Sequence, residues 1–209
     1  MDLHYNRIAA GDVGRIAALS DGIFAFAATA LVLEVHTPDS ADVHGEWQLL
    51  MALGALAPRV LTWLLSLLTL GIFWVGQQTQ LNQIARCDRN LSWLHMVFLA
   101  VITVLPFSTR LLADFFAYRV AFLIYWANIL FCGVCVYGTW AYADRAKLIR
   151  ADAPEGISQA IRARIVVAQG LYALGAVVGL FNVSLGIILI IAVQLNYAIA
   201  PRLPFLSRL

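Results

Sequence analysis

The stretch Arg15-Ile16-Ala17-Ala18-Leu19-Ser20-Asp21-Gly22-Ile23-Phe24-Ala25-Phe26-Ala27-Ala28-Thr29-Ala30-Leu31-Val32-Leu33-Glu34-Val35 decides the fold. Between Asp21 and Glu34 it carries no charge, and its small and aromatic residues read as a helix made for lipid. The rest of the chain has the same character. Of 209 residues 62% are hydrophobic and 12% charged, with a mean hydropathy of +0.81. Soluble domains hold about 45 to 50% apolar and about 25% charged residues, so there is too little polar surface here for a soluble enzyme. A net charge of +2 and a pI of 8.5 give no basic footprint for nucleic acid. At about 20 residues per membrane-spanning helix, the length accommodates five or six spans.

Six apolar segments are predicted, at residues 20–35, 58–76, 91–105, 120–143, 165–181 and 183–200. Pro58 suits the first turn of the second span, where its missing N–H has no helical partner, and Trp47 to Ala57 reads as a short interfacial helix. Gln77 to Asn90 is expected as a polar loop. Pro106 and Phe107 are expected to close the third span. Segments five and six are joined by little more than Asn182, which requires a tight hairpin. No cleavable signal is expected ahead of Ile23. Together these give an all-α, six-span membrane bundle forming one domain over residues 1–209.

Lys and Arg set the orientation. With the N-terminus inside, only Arg59, Arg110 and Arg119 lie outside, so eleven of the fourteen basic residues face the cytoplasm. Both termini are thus expected on the cytoplasmic side of the cell membrane. Within spans two to six the one ionisable imidazole or carboxylate is His95, which disfavours a carrier built on buried acids. Neither H-E-x-x-H, G-x-S-x-G nor a phosphate-cradling G-x-x-x-x-G-K occurs, and no enzyme is expected. His4, His36, His44 and His95 lack metal-ligand spacing. Cys132 and Cys135 form a C-x-x-C inside an uncharged span, where buried thiols are inert. Gly175 and Gly179 form a G-x-x-x-G that lets helices approach closely.

The first span stands apart. Ser20 or Asp21 can be an ordinary N-cap, which leaves Arg15 and the run of alanines unexplained. Phe26, Thr29, Ala30 and Leu33 recur at spacings of three and four and so share one helix side. By itself such a stripe is more often the mark of ordinary core packing.

The motif Arg15-x-x-x-Leu19-Ser20-Asp21-Gly22-Ile23-Phe24-Ala25 resembles the R-x-x-x-F-S-D-G-x-F-A signature of the transmembrane protein 175 family of potassium channels. The likeness continues through Leu31 to Val35, Trp63 to Leu67, Ile72-Phe73-Trp74, Asn90 to Leu94 and Leu105 to Ser108. Leu19 replaces the usual Phe, Gln77 and Gln78 stand where many members have His, and His95 where Asn is common.

The resemblance implies a homotetramer embedded in membrane lipid, its first helices lining a central pore for potassium ions, with no cofactor beyond the permeant ion. It assigns the pore to Phe26, Thr29, Ala30 and Leu33, with Phe26 and Leu33 as dry constrictions and no carbonyl filter. Arg15, Ser20 and Asp21 become a cytoplasmic-side network between helices. Glu34 and the acidic first loop would attract cations to the outer mouth. The alternative is a small-solute or proton-permeable transporter rocking about a midplane site.

Overall fold

The computed structural model describes residues 12–39 and 43–199, and every element in it is helical. In chain order the helices are α1 (Val13–Leu33), α2 (Glu46–Ala55), α3 (Ala57–Asn82), α4 (Arg89–Thr103), α5 (Leu105–Asp114), α6 (Arg119–Arg145), α7 (Ile157–Phe181) and α8 (Val183–Ile199). Five helical stretches are long and apolar enough to cross a membrane, with α4 and α5 counted as one, and α8 is a shorter apolar helix. His4, Arg7, Asp42, Ala200, Arg202, Arg208 and both termini lie outside the described residues.

The helix boundaries differ from the hydropathy pattern at several ends. α1 begins at Val13, seven residues before Ser20, and its N-cap is Asp12, whose side chain accepts from Gly14 N at 2.9 Å. Ser20 and Asp21 are therefore mid-helix residues and not caps. α3 runs past Gly76 to Asn82 because Gln77 and Gln80 are buried on its inner side. Pro106 does not close the third span. α4 ends at Thr103, and Pro106 occupies the first turn of α5, which carries the span to Asp114. There its missing N–H costs no hydrogen bond.

α7 starts at Ile157, eight residues before the apolar run, from Gly156 in the left-handed region at φ 79°, a conformation that favours glycine. Its polar first turns are held by Asp144 at the end of α6, which accepts from Ser158 Oγ and Arg162 Nη2, both at 2.6 Å. The connections at this end also pair. Ala85 N donates to Leu148 O at 2.8 Å and Arg150 N to Gln83 O at 2.9 Å, over a small core of Leu81, Cys87, Leu91 and Trp140.

The main core is built on α6, whose Phe122, Tyr125 and Ile129 are fully buried. α1 packs against α3, α4 and α5, whereas α7 packs against α6 and α8. Asn182 breaks α7 from α8 in extended conformation, and its Oδ1 accepts from Leu185 N at 3.1 Å, capping the next helix. The hairpin closes through glycine. A Cβ on Gly186 would lie 2.6 Å from Gly179 Cα, and one on Gly179 would enter the Phe122 ring. Without hydrocarbon burial to drive helices together in lipid, such close approach supplies the attraction. α2 has no buried residue, and Trp47, Leu50 and Met51 are all exposed, which suits a helix lying at an interface.

Candidate pore helix and its anchoring network

α1 has two unlike sides. Ser20, Phe24, Ala27 and Leu31 face the bundle, Phe24 being 5% exposed and Leu31 fully buried. The Phe24 ring lies 6.1 Å from that of Phe98. At 100° per residue, Gly22, Phe26, Thr29 and Leu33 point the opposite way, and all four are exposed, Phe26 at 71% and Leu33 at 73%. The stripe formed by Phe26, Thr29 and Leu33 is thus not part of this chain's own core. Ala30 is half-buried at the edge of that side.

Thr29 Oγ1 donates to Phe26 O at 2.8 Å. That bond uses the hydroxyl proton and leaves the oxygen able to accept.

Two polar residues fix the rotation of α1. Ser20 is completely buried, and its Oγ lies 2.7 Å from Ile16 O and 2.8 Å from His95 Nε2. Gln77 Nε2 reaches the same imidazole nitrogen at 3.1 Å. Asp21 Oδ1 accepts from Trp74 Nε1 and Gln78 Nε2, each at 2.8 Å. Gln77, Gln78 and His95, three of the four positions that depart from the family pattern, thus bond α1 to α3 and α4. Ser20 and Asp21 belong to this network. Arg15 has no partner in it among the described residues; it is exposed on the same side as Phe26.

Two further polar groups are inconspicuous in the sequence. At the other end of α1, Arg110 Nη1 lies 3.5 Å from Glu34 Oε2 and Arg110 Nε 3.6 Å from Asp114, while Arg59 Nη2 pairs with Asp114 at 3.0 Å. These ion pairs tie the ends of α1, α3 and α5. Their signal was the presence of acids and bases on one predicted side of the membrane. Deeper in the bundle, Ser66 and Thr109 share a hydrogen bond of 2.6 Å, Thr69 meets Tyr125 Oη at 2.9 Å, and Gln194 Nε2 donates to Thr69 Oγ1 at 2.5 Å. Single hydroxyls within apolar runs do not stand out in a hydropathy pattern. Among the described residues no group of His, Cys, Asp and Glu is placed to hold a metal ion.

Apolar outer surfaces, helices long enough to span, and a first helix keyed by internal hydrogen bonds define a polytopic α-helical membrane protein. Residues 15–106 match the family model described as Endosomal/lysosomal potassium channel TMEM175. A potassium channel of Streptomyces collinus is 32% identical over 156 residues, 71% of this chain and 74% of that protein. One from Chamaesiphon minutus is 31% identical over 190 residues, covering 87% and 92%. The fold agrees with the crystal structure of a lysosomal potassium-selective channel TMEM175 homolog from Chamaesiphon minutus, with a TM-score of 0.77 and 27% identity over 90% of this chain and 97% of that one. The chain belongs to the TMEM175 family of potassium channels, a family of channels and not of enzymes.

Proposed function

We infer that four copies of this chain surround an axis lined by α1 and conduct potassium ions across the cell membrane, with both termini cytoplasmic. The observation that carries this reading is the exposed stripe of Phe26, Thr29 and Leu33, set half a turn away from the side of α1 that packs in its own bundle. A helix fixed on one side by Ser20 and Asp21 presents the other to whatever lies outside the chain. In a fourfold arrangement that is the axis, and Arg15 at the inner end is free to reach a neighbouring copy.

Phe26 and Leu33 are about 10 Å apart along the helix at 1.5 Å per residue. Rings of these side chains form two dry constrictions that oppose a hydrated ion until they widen. The Thr29 oxygens between them replace part of the ion's water shell, and the half-buried Ala30 leaves space beside them. The surplus of basic residues on the inner side supports the orientation.

The test is ion flux from liposomes containing the purified protein, with potassium and sodium gradients compared at matched potential, beside chemical cross-linking. Potassium flux with a cross-linked tetramer is expected; a dimer, or equal and saturable flux of an organic solute, overturns the reading. Proton permeation is a second reading. It is favoured by animal relatives described as endosomal/lysosomal proton channels, such as the human protein, 31% identical over 99 residues but matched over only 20% of its length. A pH-sensitive dye inside the same liposomes separates the two.

A further inference from the structure

On the side of the bundle away from α1, a cleft of about 100 Å³ lies between α3 and α7, with α6 at its base and Tyr197 of α8 at one edge. Its α3 wall runs from Ile72 to Gln80, and its α7 wall from Ile161 to Tyr172. Most of this lining is apolar. Gly76 leaves it open, since a Cβ there would meet nothing within 4 Å.

Two polar features distinguish the cleft from a packing gap. Arg164 stands at its mouth with its guanidinium 5.7 Å from the centre of the Tyr197 ring, and no carboxylate pairs with it among the described residues. Its neighbour Arg162, by contrast, is neutralised by Asp144 at 2.6 Å. Deeper in, Gln169 folds over Gly133, and its buried Oε1 has no hydrogen-bond partner.

The dimensions match one lipid leaflet. From Arg164 to Tyr172 is eight residues, about 12 Å along α7, and the α3 wall is equally long. Half of a hydrocarbon core about 30 Å thick is about 15 Å. Arg164 lies at the end of the bundle where basic residues accumulate, so the cleft starts at the headgroup level of the inner leaflet and descends through the acyl region. An occupant must therefore carry an anionic head and an apolar tail.

We propose that the α3–α7 cleft is a binding site for an anionic diacyl phospholipid of the inner leaflet, the phosphate held by Arg164 and one acyl chain lying between Gly76 and Ala168. The site rests on the inferred assembly in one respect only, that α7 and α8 face lipid when α1 faces the axis.

The experiment is native mass spectrometry of the full-length protein released from micelles containing phosphatidylglycerol or phosphatidylcholine, which reads bound lipid whether or not the channel conducts. Phosphatidylglycerol is expected to be retained preferentially. Arg164→Gln should weaken its retention about fivefold, the weight of one basic side chain at an anionic surface, whereas Arg145→Gln, a control outside the cleft, should not. Gly76→Phe should displace the acyl chain and abolish retention; an unchanged melting temperature in detergent establishes that this variant is folded, and Arg164→Gln decides the matter if it is not. Equal retention of both lipids, or retention unaffected by Arg164→Gln, overturns the proposal. Full displacement by millimolar inorganic phosphate overturns the diacyl assignment in favour of a simple anion site. Disulfide cross-linking of a Gly76→Cys variant to a second copy overturns it in favour of a subunit contact.

Discussion

Phe24 and Phe26 are two residues apart in sequence and should respond oppositely to truncation. Phe24 is 5% exposed and packs against Phe98. In lipid the unfolded helices remain in hydrocarbon, so the transfer share of the usual penalty for Phe→Ala is absent and the cavity share remains. About 100 Å³ of lost ring at about 24 cal/mol per Å³ gives about 2 kcal/mol for Phe24→Ala. Phe26 is 71% exposed and contributes little to its own bundle, so Phe26→Ala should change protomer stability by no more than about 0.5 kcal/mol. In the proposed tetramer its effect belongs to the pore. If each of four rings is cut back and the dewetting barrier falls by about 1.4 kcal/mol, potassium flux rises about tenfold. Thermal denaturation in detergent reads the first quantity, and potassium efflux from liposomes the second. A Phe26→Ala protein that melts lower than Phe24→Ala would invert the assignment of the two sides of α1. Wild-type flux from Phe26→Ala would remove the pore from this helix.

Ser20→Ala removes the hydroxyl partner of the buried His95 imidazole and should cost about 1 to 2 kcal/mol in the same melting assay, whereas an unchanged midpoint would show that this contact does not hold α1. Asp21→Ala removes the acceptor for both Trp74 and Gln78 and should impair assembly or conduction, read by cross-linking and liposome flux. Gly186→Leu cannot fit 2.6 Å from the Gly179 backbone, so the α7–α8 hairpin should open and detergent-solubilised protein should aggregate or melt at least 5 °C lower. Burial pushes the Cys87 thiol above its usual range, with nearby Asp88 adding to the effect and Ser92 opposing it. Since the thiolate is the reactive form, a water-soluble maleimide at pH 7 should leave Cys87 unlabelled until denaturant is added, and labelling should accelerate only at pH values above the ordinary thiol range of about 8.5.

Much of the architecture is legible in composition and periodicity because lipid forces every span into a self-satisfied helix. The interfacial helix before Pro58 and the break at Asn182 are local features with local causes. The ends of the spans are less legible. Gln77 and Gln80 read as loop because a hydropathy pattern weighs an amide by its cost in hydrocarbon, not by the partners it finds. Likewise Pro106 reads as a stop, although a proline in a helix's first turn is a start.

The sequence by itself determined that this is a multi-span helical membrane protein, and the motif from Arg15 to Ala25 placed it in its family. It also put Phe26, Thr29 and Leu33 on one helix side, since 3.6 residues per turn leaves no other outcome. Whether that side faced the bundle or away from it was open, because hydrocarbon and protein interiors are equally apolar and the pattern is the same in both. The tertiary structure decided it: Ser20 bonded to His95, and Asp21 to Trp74 and Gln78, fix the rotation of α1 and turn the stripe outward. Those partners are 53 to 75 residues away in the chain, so no local reading of α1 contains them.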